Sequence, residues 1–136
     1  MKITFEDVNG KIHVFEIPSE KKVEISVPEG TTFDFEDGNG PVPAHKHSNG
    51  GGWVADSAFV AESAYVGPNA RVYGNARVFE NARVFENAWV YENAWVYENA
   101  WVFENTRVYG NARVFGYARV FGYARVYGNA RVYGKT

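Results

Sequence analysis

The chain has 136 residues, a formal net charge of −2 and no cysteine. That length holds one ordinary domain, or a repeat array with a small extra module, and the missing thiols exclude disulfide frameworks and thiolate metal sites. The start, Met1-Lys2-Ile3-Thr4-Phe5-Glu6-Asp7, lacks the apolar core of a signal peptide, and no apolar run is long enough to span a bilayer. The expectation is a soluble, cytoplasmic protein with no membrane partner. Its charge is uneven: residues 1–52 carry five lysines against nine acids, and after Glu104 there is no acid at all.

Taken in chain order, residues 1–40 read as a small antiparallel β module. Ile3 and Phe5 alternate, as do Val23, Ile25 and Val27, and then Phe33 and Phe35. Residues 11–17 form a further strand candidate with His13 on its surface, and Asn9-Gly10 before it is a two-residue hairpin turn. Some forty residues bury little by themselves, so this module is expected to pack as a cap on the first coil of residues 53–136. Residues 41–52, with Pro41, Pro43, Gly50, Gly51 and Gly52, read as a connector. His45 and His47 lie there, two residues apart. A metal held with help from Asp37 or Asp56 is conceivable, but no third ligand stands out; the plain expectation is a polar connector and no metal.

From residue 53 to 136 the sequence repeats every six residues. Valine recurs fourteen times without a slip, from Val54 to Val132, and four residues after each stands alanine, replaced only by Thr106 and Thr136. A period of six excludes a heptad coiled coil, and alternation around each valine gives a short strand with valine inward. Gly or Glu followed by Asn is expected to make a corner, because Asn and Gly accept turn conformations.

Runs such as Asn75-Ala76-Arg77-Val78-Phe79-Glu80 resemble the hexapeptide-repeat family. The resemblance implies a left-handed parallel β-helix, three hexads to a triangular coil, and trimers of parallel prisms. Eighteen residues per coil then place Val54, Val72, Val90, Val108 and Val126 on wall one, Val60 to Val132 on wall two, and Val66 to Val120 on wall three. From Tyr73 onward the residue after each valine is an outward aromatic; from Arg71 onward the residue before it is Arg or Trp. Trp89, Trp95 and Trp101 make a belt around one coil. Glu80, Glu86, Glu92, Glu98 and Glu104 fall at the corners, where ion pairs with arginines of adjacent coils are expected.

Catalysis is not expected. The family's acyltransferases imply a catalytic histidine in or beside the coils and an inserted loop, and its zinc enzymes imply histidines from successive coils; residues 53–136 contain no histidine. Ser57 and Ser63 have no histidine base within sequence reach. No catalytic residue and no cofactor is therefore assigned. Two non-enzymatic roles remain. One is a structural or assembly protein, a homotrimer with Trp89, Trp95, Trp101, Tyr97 and Phe103 at its seams. The other is a protein that sequesters an anionic or planar ligand such as a nucleotide, through Arg107, Arg113, Arg119, Arg125, Arg131, Tyr109, Tyr117 and Tyr123. The style of the repeat also resembles hexapeptide proteins of phage genomes, which would place the protein in the virion or the host cytoplasm.

Overall fold

The computed structural model describes residues 2–4, 14–17 and 30–135. The hairpin at Asn9-Gly10, the strand through Val23, Ile25 and Val27, and His13 lie outside them. The described residues are all β and turn, and no helix among them is long and apolar enough to cross a membrane. Two short strands, β1 (Lys2–Thr4) and β2 (Val14–Ile17), pair antiparallel. They are followed by β3 (Thr32–Asp34), β4 (Pro41–Lys46) and β5 (Trp53–Ala55).

From β5 onward the chain is a parallel β-solenoid of about five turns. Each hexad supplies one strand, and each strand pairs with the one eighteen residues on, as Val54 with Val72 and Val72 with Val90. Val60 pairs with Val78, and Val66 with Val84, so the three walls are those the eighteen-residue period dictates. The core follows from side-chain shape. A narrow prism admits one β-branched residue per wall and a small one beside each corner. The valines from Val66 to Val114 and the alanines from Ala64 to Ala112 are fully buried. Thr106, in the alanine column, is buried as well, and its hydroxyl donates to the Phe103 carbonyl at 2.8 Å. That bond satisfies the one polar group the column admits there.

Pro41–Lys46, within the stretch read as a connector, is a strand. It pairs antiparallel with β3 on one side and β5 on the other, so β3 and β4 extend wall one beyond the first coil. The following turn closes wall three: Val66 donates to the Asn49 carbonyl, and Gly52 donates to the Val66 carbonyl. A side chain at Gly50, where φ is +118°, or at Gly52 would run into the carbonyls of Val66 or Gly67, so these positions need glycine. The chain before the array thus covers the first coil's strand edges on two walls.

Candidate functional site

The outer surface is built from three columns that repeat on every wall. The first is the corner residue before each Asn. Glu80, Glu86, Glu92, Glu98 and Glu104 all sit at positive φ, between 58° and 64°, in the same column as Gly74, Gly110, Gly116, Gly122 and Gly128. The left-handed residue of the corner is therefore Glu or Gly, and not the Asn that follows. Glutamate carries a steric cost there, and each of the five offsets it in the same way. Its Oε1 accepts the backbone N–H eighteen residues on: Glu80 from Glu98, Glu86 from Glu104, Glu92 from Gly110, Glu98 from Gly116 and Glu104 from Gly122, at 2.7–3.1 Å. Among the described residues no ion pair joins these acids to an arginine of the array. The expected Arg–Glu pairs do not form because the carboxylates turn along the corner to the backbone.

The second column is the aromatic residue after each valine. Consecutive rings stack nearly parallel, 4.9 Å apart in the middle of the array and up to 5.5 Å at its carboxy-terminal end. On wall one the ladder begins before the array: Phe35 from the cap stacks on Tyr73 at 4.7 Å, over the small Ala55. Wall one carries tyrosine at every step, Tyr73, Tyr91, Tyr109 and Tyr127, whereas wall three carries phenylalanine, Phe85, Phe103 and Phe121.

The third column, before each valine, interleaves Arg and Trp. Arg107, Arg113 and Arg119 lie over Trp89, Trp95 and Trp101 at 3.8, 3.9 and 4.2 Å. Arg71 and Arg83 approach Trp89 and Trp101 from the preceding coil at 4.9 and 5.9 Å. These are cation–π contacts between flat groups on a partly exposed surface, worth roughly 0.5–1 kcal/mol each.

The residues expected to bind an anion are thus already engaged or scattered. Three of the five arginines rest on tryptophan faces. Arg119 also donates to the carbonyls of Asn99, Tyr117 and Ala118, and Arg125 to those of Asn105, Tyr123 and Ala124. Arg131 is exposed. Tyr109 is held in the wall-one ladder, while Tyr117 and Tyr123 are exposed at two different corners. Of the residues expected at a seam, Trp95 and Tyr97 share wall two and Trp101 and Phe103 share wall three, with Trp89 apart on wall one.

His45 and His47 face different partners. Nδ1 of His45 meets Asp56 at 2.7 Å on the surface, and Nε2 of buried His47 donates to the Ala64 carbonyl at 2.8 Å. Ser57 and Ser63 donate to the carbonyls of Gly74 and Glu80. No group of three potential metal ligands occurs among the described residues.

Two clefts flank wall one. The larger, about 500 Å³, runs along a corner beside Trp53, Asn69, Arg71, Asn87, Trp89 and Arg107. The other, about 400 Å³, lies between the turn Glu36–Asn39 and the tyrosine ladder, and Tyr73, Tyr91, Glu92 and Arg107 line it as well. Tyr73 is only 4% exposed. Burial pushes its hydroxyl well above the ordinary tyrosine range, helped by Tyr91 and Asp37 and opposed by Arg107 and Arg71. Burial likewise raises Tyr91, with Tyr109 adding to it and Arg107 opposing. Sequence reasoning passed over Glu36, Asp37 and Tyr73 as a group, because nothing in the spacing shows that the cap folds back over wall one. The all-tyrosine column was the available signal.

Among known protein families, the YdcK beta solenoid repeat matches residues 70–86, 107–122 and 124–136, about a third of the chain. No curated protein and no solved structure matches it. The repeat match and the eighteen-residue ladder together identify a β-solenoid repeat protein.

Proposed function

We propose that this is a non-enzymatic scaffold of the left-handed hexapeptide-repeat kind, which assembles as a trimer of parallel prisms. The observation that carries the reading is the outer face of walls two and three. Both walls present continuous aromatic ladders, Phe79-Tyr97-Phe115-Tyr133 and Phe85-Phe103-Phe121. Phe59 on wall two and Phe121 on wall three are about half exposed, at 49% and 55%. The rings between these ends, Phe79, Tyr97 and Phe115 on wall two and Phe85 and Phe103 on wall three, are partly exposed, and a contiguous run of apolar surface left open to solvent marks an interface. Wall one also exposes Tyr127 at its far end, at 59%, but at its near end the Glu36–Asn39 turn reaches the ladder and Tyr73 is buried.

A triangular prism offering two flat apolar walls suits a closed three-fold ring, in which wall two of one copy meets wall three of the next. The columns that flank the valines support the same reading. Rings stacked on rings, arginines laid on tryptophans and carboxylates turned to the backbone give a stiff surface, with many of its polar groups committed to holding the prism.

Light scattering at micromolar concentration is expected to give the mass of three chains. Trp95→Asp on wall two should shift it to one chain with an unchanged far-UV circular dichroism spectrum. Phe59→Glu should do the same at a ring that takes no part in the Arg113 contact. A wild-type protein that is monomeric at micromolar concentration refutes the assembly.

A further inference from the structure

The cleft between the Glu36–Asn39 turn and wall one has a chemical character of its own. Three carboxylates, Glu36, Asp37 and Glu92, line it against one guanidinium, that of Arg107. Glu36 is partly compensated by Arg71, 3.4 Å away. Asp37 and Glu92 are not: Asp37 accepts only from the Asn39 backbone N–H and side-chain amide, and Glu92 only from the Gly110 N–H. No ion pair reaches either of them among the described residues.

A second observation is independent of this charge. Tyr73 is buried, with only 4% of its surface exposed, yet among the described residues no hydrogen bond reaches its hydroxyl. Its ring is stacked between Phe35 at 4.7 Å and Tyr91 at 4.9 Å, with the Trp89 edge against its side. With both faces and one side covered, the hydroxyl end is what it presents to the cleft it lines. Buried polar groups are ordinarily hydrogen-bonded. The stack itself does not need this hydroxyl, since wall three builds the same ladder from phenylalanine.

We infer that this cleft binds an aliphatic primary ammonium group, with Asp37 and Glu92 supplying charge and the Tyr73 hydroxyl accepting one of its N–H bonds. An ammonium has three donors and no acceptor, which matches a site made of carboxylates and a hydroxyl. A bare metal ion does not suit it: no three of its acids converge to hold one, and a space of about 400 Å³ is far larger than an ion. An anion meets net negative charge. The ammonium can arrive on a free diamine or on a lysine side chain.

Titration calorimetry of the full chain at low salt, with 1,4-diaminobutane and with Nα-acetyl-lysine methylamide as probes, tests the assignment and identifies the source. At least one probe is expected to bind, more weakly as salt rises, while neutral 1,4-butanediol does not. Asp37→Asn and Glu92→Gln should each weaken binding about tenfold or more, in keeping with the loss of a charged hydrogen bond. Glu92→Gln keeps an oxygen for the Gly110 N–H. Tyr73→Phe, which keeps the stack, should weaken binding by a smaller factor. If neither probe binds, or if binding is unaffected by Asp37→Asn and Tyr73→Phe alike, the assignment is wrong. Because the cleft lies on wall one, the result is independent of whether Trp95→Asp dissolves a trimer.

Discussion

Tyr73 concentrates the protein's residue-scale chemistry. It is one rung of a ladder, the contact between cap and first coil, and a buried acid. Its hydroxyl, raised by burial, stays protonated in the fold at pH values where the unfolded chain already releases its proton, near the ordinary tyrosine value of about 10. A group whose folded value lies above its unfolded one contributes fully below the unfolded value and loses that contribution as pH rises toward the folded one. Stability should therefore hold up to about pH 10 and fall beyond it. Urea unfolding at pH 9 and pH 11 measures the drop, and Tyr73→Phe should make it shallower; an equal drop in the variant would place the alkaline sensitivity elsewhere. The corner glutamates make a different point at the same scale. Glu and Gly share one column of the sequence, and the glycines mark a left-handed position, but only the structure shows why glutamate is tolerated there. Its carboxylate reaches one coil up to a backbone N–H.

At the scale of the element, each hexad is a strand of two to four residues and a corner, too short to be stable alone. It exists because an identical unit lies above and below it. The inward half of this arrangement was legible from the valine and alanine columns, since a strict period in residue size leaves one way to fill a narrow prism. The outward half was only partly legible. The three ladders follow from the period, but the partners of the arginines do not: at the surface, tryptophan faces, carbonyls and carboxylates compete for a guanidinium within similar distances, and spacing cannot rank them. Least legible was Pro41–Lys46. Its prolines argue against a central strand, yet it sits between β3 and β5 because the first coil's edge needs a partner. The tightness of the inner column gives an element-scale test. Ala94 is fully buried beside a corner of the central coil. Ala94→Leu forces three extra carbons into a filled prism and should cost about 1–3 kcal/mol, read as a lower melting temperature. An unchanged melting temperature would mean that the alanine column does not limit the interior.

The molecule as a whole is close to a one-dimensional object, in which each coil touches its neighbours and little else. Ring ladders, valine stacks and carboxylate caps all link residue i to residue i+18. Eighteen residues is consequently the unit that can be removed without disturbing any column. Deleting residues 93–110 joins Glu92 to Asn111, which returns the chain to the same wall, corner and rung. This shortened protein should still unfold in a single transition, with an unfolding enthalpy lower by about 13 kcal/mol at about 0.7 kcal/mol per residue. Deleting residues 93–98 alone also keeps valine over valine, but it turns every later hexad onto the neighbouring wall. Tyr109 would then lie over Phe85 in place of Tyr91, and wall one would lose its run of tyrosines. That variant should fold with a similar core and keep Tyr73 and Tyr91 beside the cleft, while Phe115 takes the rung after Tyr91. Removal of nine residues, 93–101, puts corners over strands and should abolish the fold. Differential scanning calorimetry of the three deletions separates these outcomes. If the eighteen-residue deletion fails to fold while the wild type does, stability resides in a feature of the Trp95–Arg107 region that the columns do not capture, and the solenoid cannot be treated as a sum of its coils.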